Sequence, residues 1–364
     1  MDSATRIARK MATLAGMGFQ RVESRLIPSE TIPVKGGRHR VISSQPSMGT
    51  LVSVTAVHAS PGLIQDAAGL AFREMDRVVN LLNRYDPSSA LSYLNTEGSI
   101  DGPPPELTTV MRQARSFHDA SEGAFDPTVQ PLVDLFRSRL GGGDPASRSA
   151  SSSPASSSFA KPPSEAEILE ALALVDGRRV ELTPQSIRLS IPGMGVTLDG
   201  IAKGYVVDRM AAVLAAQGLE DFLINAGGDI RSAGFREDGR EWRVGVQDPT
   251  KRGDLPDVIG LTNGAVATSG SYEIYFDRER THHHIVSARS GESPQSSQSV
   301  SVVAPTALAA DALATSVFVM EPERGVAFIE SLPQCACLIV DHQGRQLRSQ
   351  RWRSATDLPH PRQG

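Results

Sequence analysis

The run Val302-Val-Ala-Pro-Thr-Ala-Leu-Ala-Ala-Asp-Ala-Leu-Ala-Thr-Ser-Val-Phe-Val319 reads as a strand, a proline stop and then a helix that is apolar except at a few positions. Within it Asp311 and Thr315 are four residues apart, so on a helix they lie one turn above each other on the same face. A carboxylate beside a hydroxyl on an Ala/Leu/Val helix is a hard, all-oxygen pair. Mg2+ accepts such a pair when a substrate phosphate supplies its remaining ligands. The same side chains also fit a local role, with Asp311 capping or pairing nearby and Thr315 bonding back to a carbonyl.

Around this run the chain has 364 residues, enough for one large domain or two ordinary ones, with 40% hydrophobic and 21% charged residues. That composition predicts a real core. A net charge of -4 and the lack of a basic run give no basis for a nucleic-acid surface. Both cysteines fall in Cys335-Ala-Cys337, without further Cys or nearby His, so they read as apolar filler of a late strand rather than a zinc site. No apolar run approaches the roughly 18 residues that span a bilayer. At the N-terminus Arg6, Arg9 and Lys10 precede Met11–Phe19, an apolar run too short and glycine-broken for a clean signal, with no lipid-anchor cysteine after it. A cytoplasmic location is expected, with export as the alternative.

Residues 1–44 read as a partly flexible extension, and residues 356–364 as a flexible tail. Structure is expected to begin at Ser47-Met-Gly-Thr50, followed by the alternating strand Leu51–Val57. A helix is predicted from about Leu63 to Asn83, ended by Pro87, then a short helix or turn over Ser88–Asn95 and a helix from Glu106 to about Ser121. From about 141 to 165 the chain is Gly-, Ser- and Pro-rich with almost no large apolar residue, and reads as a disordered insertion. A helix over Glu165–Leu174, strands near Arg179–Leu182 and Ile187–Ile191, and a helix stopped by Gly218 follow. Phe222–Ile230 reads as an apolar strand running into a double-glycine turn, with further strands at Trp242–Val246 and Gly264–Thr268. Strands outnumber helices and often follow one another directly, which predicts an α+β fold.

Four other pieces carry chemistry. Asp126, between an aromatic ring and a proline in Gly123-Ala-Phe-Asp-Pro127, can accept ribose hydroxyls or can cap a turn. Asp199-Gly-Ile-Ala-Lys-Gly204 brings a glycine, a lysine and a helix N-terminus together, which suits phosphate, although the spacing matches no P-loop or dinucleotide fingerprint. In His282-His-His284 at most two neighbours of a strand share a face, so a single histidine acting as base is the economical reading, with a plain surface tract as the alternative. Thr268-Ser-Gly270 ends a strand in small residues that let a ligand approach closely.

Taken in order, Met48-Gly-Thr50, Arg84–Asn95, Gly123–Asp126, Asp199–Gly204, Asn225-Ala-Gly-Gly-Asp229, Ala267–Gly270, His284-Ile285 and Ala310–Thr315 resemble the ApbE family of FAD:protein FMN transferases. The resemblance spans about Pro46 to Asp341. It implies a single large ApbE-like (T-fold-like) domain over about residues 45–355, of mixed or antiparallel sheets with packed helices. It also implies an activity: FAD is cut at its pyrophosphate with Mg2+, FMN passes to a Ser or Thr of a flavin-accepting redox protein, and AMP leaves. Carried across motif by motif, Met48 and Tyr85 pack on the flavin nucleotide, Ala124, Phe125 and Asp126 hold the adenosine part, and Lys203 and Ile285 line the pocket. Asp311, Thr315 and a backbone carbonyl of the Gly200 region hold Mg2+, and His284 is the base.

Two departures stand out. Where many members read Asp-Leu-Gly-Gly, this chain has Thr197-Leu-Asp-Gly200, so either Thr197 or Asp199 takes the place of a cofactor-contacting Asp. Where the family often has Asp-Pro-x-Thr-Gly, this chain has Ser287-Ala-Arg-Ser-Gly291. The rival activities are an FAD pyrophosphatase releasing FMN and AMP, and a non-catalytic flavin-binding protein; retention of His284, Asp311 and Thr315 argues against the latter.

Overall fold

A computed structural model describes residues 29–141, 161–247, 249 and 256–353. Order begins earlier than the sequence predicts. Strand β1 (Ser29–Val34) pairs antiparallel with β2 (Arg38–Ser47), which pairs with β3 (Thr50–His58). Residues 29–34 and 38–44 of the expected extension are therefore sheet. Their alternation is masked by charge, because Arg38 and Arg40 point away from the core and pair with Asp221 at 3.4 Å and Glu237 at 2.6 Å. The parts of the expected extension, Ser-rich insertion and tail over residues 1–28, 142–160 and 354–364 lie outside the described residues.

After β3 come helices α1 (Pro61–Leu82) and α2 (Ala90–Glu97), strand β4 (Ser99–Asp101), and helices α3 (Pro105–Ala120), α4 (Gln130–Leu140) and α5 (Glu165–Leu172). Ser60, Ser89 and Ser164 cap α1, α2 and α5 through their hydroxyls, which accept N–H groups that a helix start leaves unpaired. Strands β5 (Val180–Leu182) and β6 (Ser186–Leu189) join β4 in a small three-stranded sheet. Helix α4 has no counterpart in the sequence reading. Its three buried residues, Leu132, Val133 and Phe136, are too few to show a helical period.

Helix α6 (Ala202–Ala216) leads past Gly218, at φ +83°, into β7 (Phe222–Ala226) and β8 (Asp229–Ala233). The run read as one strand ending in a turn is thus a tight hairpin, with Gly227 and Gly228 at φ +67° and +107° as its two loop residues. Then follow β9 (Trp242–Gly245) and β10 (Val258–Leu261), which pair with each other, β11 (Ala265–Gly270), β12 (Ser297–Ala304), helices α7 (Ala307–Val319) and α8 (Pro322–Ser331), and β13 (Ala336–Asp341) and β14 (Gln346–Arg348). The main sheet has nine strands in the order β1-β2-β3-β7-β8-β11-β12-β13-β14, every neighbouring pair antiparallel. The class is α+β, as expected.

Helix α7 is the centre of the core. It lies against α6, β11 and β12, and all its residues except Ala309, Thr315 and Val319 are buried. A helix apolar all round is one that is surrounded. Its approach to α6 is so close that a Cβ on Gly204 would overlap the Ala307 carbonyl. The two helices cap each other there. Asp208 of α6 accepts the Ala307 and Leu308 N–H groups, each at 2.9 Å, and Asp311 of α7 accepts the Gly204 N–H at 3.0 Å. Cys337 is fully buried in the core and Cys335 nearly so; burial pushes the Cys337 thiol up to about 12, as befits packing residues.

Candidate active site

The reciprocal caps put Asp311 at the N-terminus of α6, where two further predicted residues converge on it. Thr315 stands one turn along α7. The loop before α6 is pressed against it so tightly that a Cβ on Gly200 would lie 2.8 Å from Thr315 Oγ1. Lys203, in the first turn of α6, bonds Asp229 Oδ2 at 3.0 Å. Asp229 is the first residue of β8, directly after the glycine tip. In the sequence it lies inside a motif without an evident role, and its spacing to Lys203 reveals nothing, because the pairing is made by β8 lying beside α6. Ser269 on β11 completes the group, its hydroxyl 3.3 Å from that of Thr315.

The electrostatics of this corner are unusual. Burial pushes the Asp311 carboxyl well above the usual carboxylate range, and the nearby Asp229 charge adds to the shift. Burial also raises Asp229, while Asp229 itself holds the Lys203 ammonium well above its ordinary range. Glu273, on the loop after β11, acts on all three groups. Asp311 spends one oxygen on Gly204, and its Oδ1 has no hydrogen-bond partner among the described residues. The local role considered for Asp311 is therefore half right: it caps a helix, but a distant one, and with one oxygen only.

The three histidines do not sit on a strand. They belong to a loop joined to Tyr275 by one isolated bridge at His283, and each ring goes its own way. His282 pairs with Asp277 at 2.9 Å and lies on Phe136, with ring centroids 5.1 Å apart. His283 is buried against Phe318, bonds the Pro294 carbonyl, and is held neutral by burial at about 4. His284 is half-buried, with its ring edge-on to that of His283 at 6.4 Å between centroids. Its Nδ1 lies 3.3 Å from the Ile274 carbonyl, a contact that requires the proton on Nδ1 and leaves Nε2 with its lone pair. Burial lowers its pKa, and Asp199, Lys203 and Arg137 are the charges that act on it.

Met48 is at the tip of the β2–β3 hairpin, at φ +50°, packed against the core. That tip touches the β7–β8 tip, because a Cβ on Gly227 would lie 2.6 Å from Thr50 Oγ1. Tyr85 is half exposed, with the Arg84 and Arg137 guanidinium carbons 4.5 and 5.0 Å from its ring centre. Ile285 follows His284 into the core.

The Ala124–Asp126 group is built differently. Phe125 is in the core, edge-on to Phe117, and Ala124 is half-buried. Asp126 Oδ1 accepts the Thr128 N–H and hydroxyl at 2.8 and 2.6 Å, and Oδ2 accepts the Gly177 N–H at 3.0 Å, with His118 Nδ1 at 3.3 Å. Of the two roles open to Asp126, the geometry shows turn-capping. It lies on the wall of an open cleft of about 510 Å3, with His118, Asp176 and Arg289 among the other lining residues. A hydrogen bond from Thr197 N–H to the Pro127 carbonyl, 2.8 Å, ties this cleft to the loop that enters α6. The departing segment Ser287–Gly291 forms a tight turn closed by Gly291 N–H on the Ser287 carbonyl at 2.8 Å. It leans on α5, where a Cβ on Gly291 would overlap Ile168.

No helix among the described residues is long and apolar enough to cross a membrane. The ApbE family's sequence profile matches residues 48–339. A FAD:protein FMN transferase of Vibrio cholerae is 31% identical over 298 residues, covering 79% of this chain and 84% of that protein. One from Treponema pallidum is 30% identical over 332 residues, with 84% and 86% covered. The solved apbe protein from Thermotoga maritima has a TM-score of 0.73 at 30% identity, covering 85% of this chain and 97% of that one. The flavin transferase ApbE from Vibrio cholerae has a TM-score of 0.71 at 26% identity, with 89% and 98% covered. Agreement of sequence and fold over this length makes the chain a member of the ApbE family.

Proposed function

We propose that the chain is a Mg2+-dependent FAD:protein FMN transferase. It cleaves the FAD pyrophosphate and joins FMN to a Ser or Thr hydroxyl of a redox protein. The observation that carries this reading is the meeting of a buried, half-satisfied carboxylate, a hydroxyl and an ammonium at one helix N-terminus, with a neutral histidine within electrostatic reach of that ammonium.

No three His, Cys, Asp or Glu side chains suited to a metal stand together among the described residues. Asp311, the Thr315 hydroxyl and a carbonyl of the Gly200 turn, the set that the family resemblance implies, would hold Mg2+ together with oxygens of the substrate, and such all-oxygen donors fit that ion. Bound there, Mg2+ supplies positive charge to the pyrophosphate as negative charge builds on it. Lys203, kept charged by Asp229, adds a fixed cation beside the same oxygens. His284 Nε2 takes the proton of the accepting hydroxyl, whose oxygen bonds to the FMN phosphorus while the bond to the AMP oxygen breaks. The lowered pKa keeps that imidazole neutral, and so able to act, at neutral pH. Half-exposed Tyr85 and Met48, at the β2–β3 tip, would pack on the flavin.

The experiment mixes the protein with FAD, Mg2+ and a candidate recipient domain, and weighs the recipient by intact mass spectrometry. A gain of one FMN residue, lost with EDTA and reduced at least about a hundredfold by His284→Ala, is expected. FAD converted to free FMN and AMP beside unmodified recipients would assign the pyrophosphatase reaction instead.

A further inference from the structure

Arg84, in the turn after α1, is a nearly enclosed cation. Its side chain is 4% exposed, although its two carboxylate partners, Asp134 and Asp199, are 49% and 51% exposed. Each nitrogen of the guanidinium fork is spent. Nε donates to Asp199 Oδ2 at 3.0 Å, Nη1 to Asp134 Oδ1 at 3.2 Å and Nη2 to the Tyr85 hydroxyl at 2.8 Å. The Tyr85 hydroxyl accepts a second bond, from Arg137 Nη2 at 2.8 Å. Burial disfavours the Arg84 charge, but Asp199, Tyr85 and Asp134 more than offset it.

One side chain thus ties three separate segments: the turn after α1, helix α4, and the loop before α6. That loop is the one whose Gly200 is pressed on Thr315 and whose Thr197 is bonded to Pro127. Asp199 lies between those two anchors. Its carboxylate is turned to Arg84, away from a free role. The contact is also the only ion pair that this loop makes among the described residues. A buried arginine fork held by three acceptors is a rigid joint, because its planar geometry fixes direction as well as distance.

We propose that Arg84 and Asp199 form a single positioning unit, which holds the loop before α6 and the Tyr85 ring in the arrangement that receives FAD, and that Asp199 acts through Arg84 rather than on the substrate. The inference rests on the flavin reading above and assigns the question left open between Thr197 and Asp199. Lysine cannot replace this arginine, because one ammonium cannot reach Asp199, Asp134 and Tyr85 together.

The test is a double-mutant cycle read by FAD affinity, from quenching of flavin fluorescence in EDTA so that no turnover occurs, with thermal melting alongside. Arg84→Met and Asp199→Asn each raise the Kd for FAD about tenfold, and the double variant raises it only about tenfold in total, not a hundredfold, because both lose the same joint. Arg84→Lys falls between the wild type and Arg84→Met. Multiplying losses in the double variant, or an unchanged Kd in Asp199→Asn, would overturn the proposal, since Asp199 would then act independently or not at all. If Arg84→Met does not fold, Arg84→Lys and Asp199→Asn decide alone, and unchanged affinity in both overturns it. Failure of the wild type to bind FAD would instead remove the flavin reading beneath it.

Discussion

Helices α6 and α7 cap each other with an aspartate apiece, and the two caps differ in one respect. Asp208 spends both oxygens, one on Ala307 and one on Leu308, at 2.9 Å each. Asp311 spends one oxygen on Gly204 and keeps the other, although it is the more buried of the two. A carboxylate whose acceptors are all used is a structural joint. One that makes a single hydrogen bond keeps acceptor capacity for a further donor or a cation. The contrast separates the two aspartates by role, although both sit at a helix terminus on the same pair of helices.

The contrast breaks first at Asp311. Asp311→Asn keeps an oxygen for the Gly204 N–H and removes the charge. FMN transfer is expected to fall at least about a hundredfold, in line with loss of a metal-dependent electrostatic contribution. In EDTA the variant melts at or above the wild-type temperature, because burial makes the charge costly in the folded state. Mg2+ raises the melting temperature of the wild type and not of the variant. Mg2+-dependent transfer surviving in Asp311→Asn would erase the distinction.

Asp208→Ala has the complementary outcome. It removes two capping hydrogen bonds and costs about 1–2 kcal/mol in urea unfolding, while the rise in melting temperature with Mg2+ is retained. A variant as stable as the wild type would show that Asp208 is not the joint described.

The smallest effect comes from Asp126, a third carboxylate, saturated like Asp208. His118 beside it has a pKa raised chiefly by its bond to Asp126. The folded value lies above the unfolded one. The stabilisation is therefore complete below the ordinary histidine value of 6.5 and is lost as pH rises through the raised value. The gap in urea midpoint between wild type and His118→Gln should thus narrow from about pH 5.5 to about pH 8.5. A gap that widens over that range would contradict the His118–Asp126 bond.

Much of this was legible in the chain itself. The α7 helix, the shared face of Asp311 and Thr315, the tight-turn glycines and the α+β class follow from local periodicity and turn chemistry. Other features were not. Strands β1 and β2 hid behind arginines whose partners, Asp221 and Glu237, are about two hundred residues away. Asp229 had no visible role, because its partner Lys203 is on a different element. The histidine tract looked like a strand, yet three separate neighbourhoods claim its rings.

The sequence by itself determined which residues lie on one face of one element, since helix and strand geometry depends only on spacing. It put forward Asp311, Thr315, Lys203 and His284 as the candidates for the chemistry. The tertiary structure decided which of their polar atoms are already spent. Asp126 and Asp311 are both aspartates in promising motifs, and only packing shows that one is satisfied by Thr128 and Gly177 while the other keeps an oxygen free. Hydrogen-bond saturation is a property of neighbours brought from far along the chain, and no local pattern encodes it.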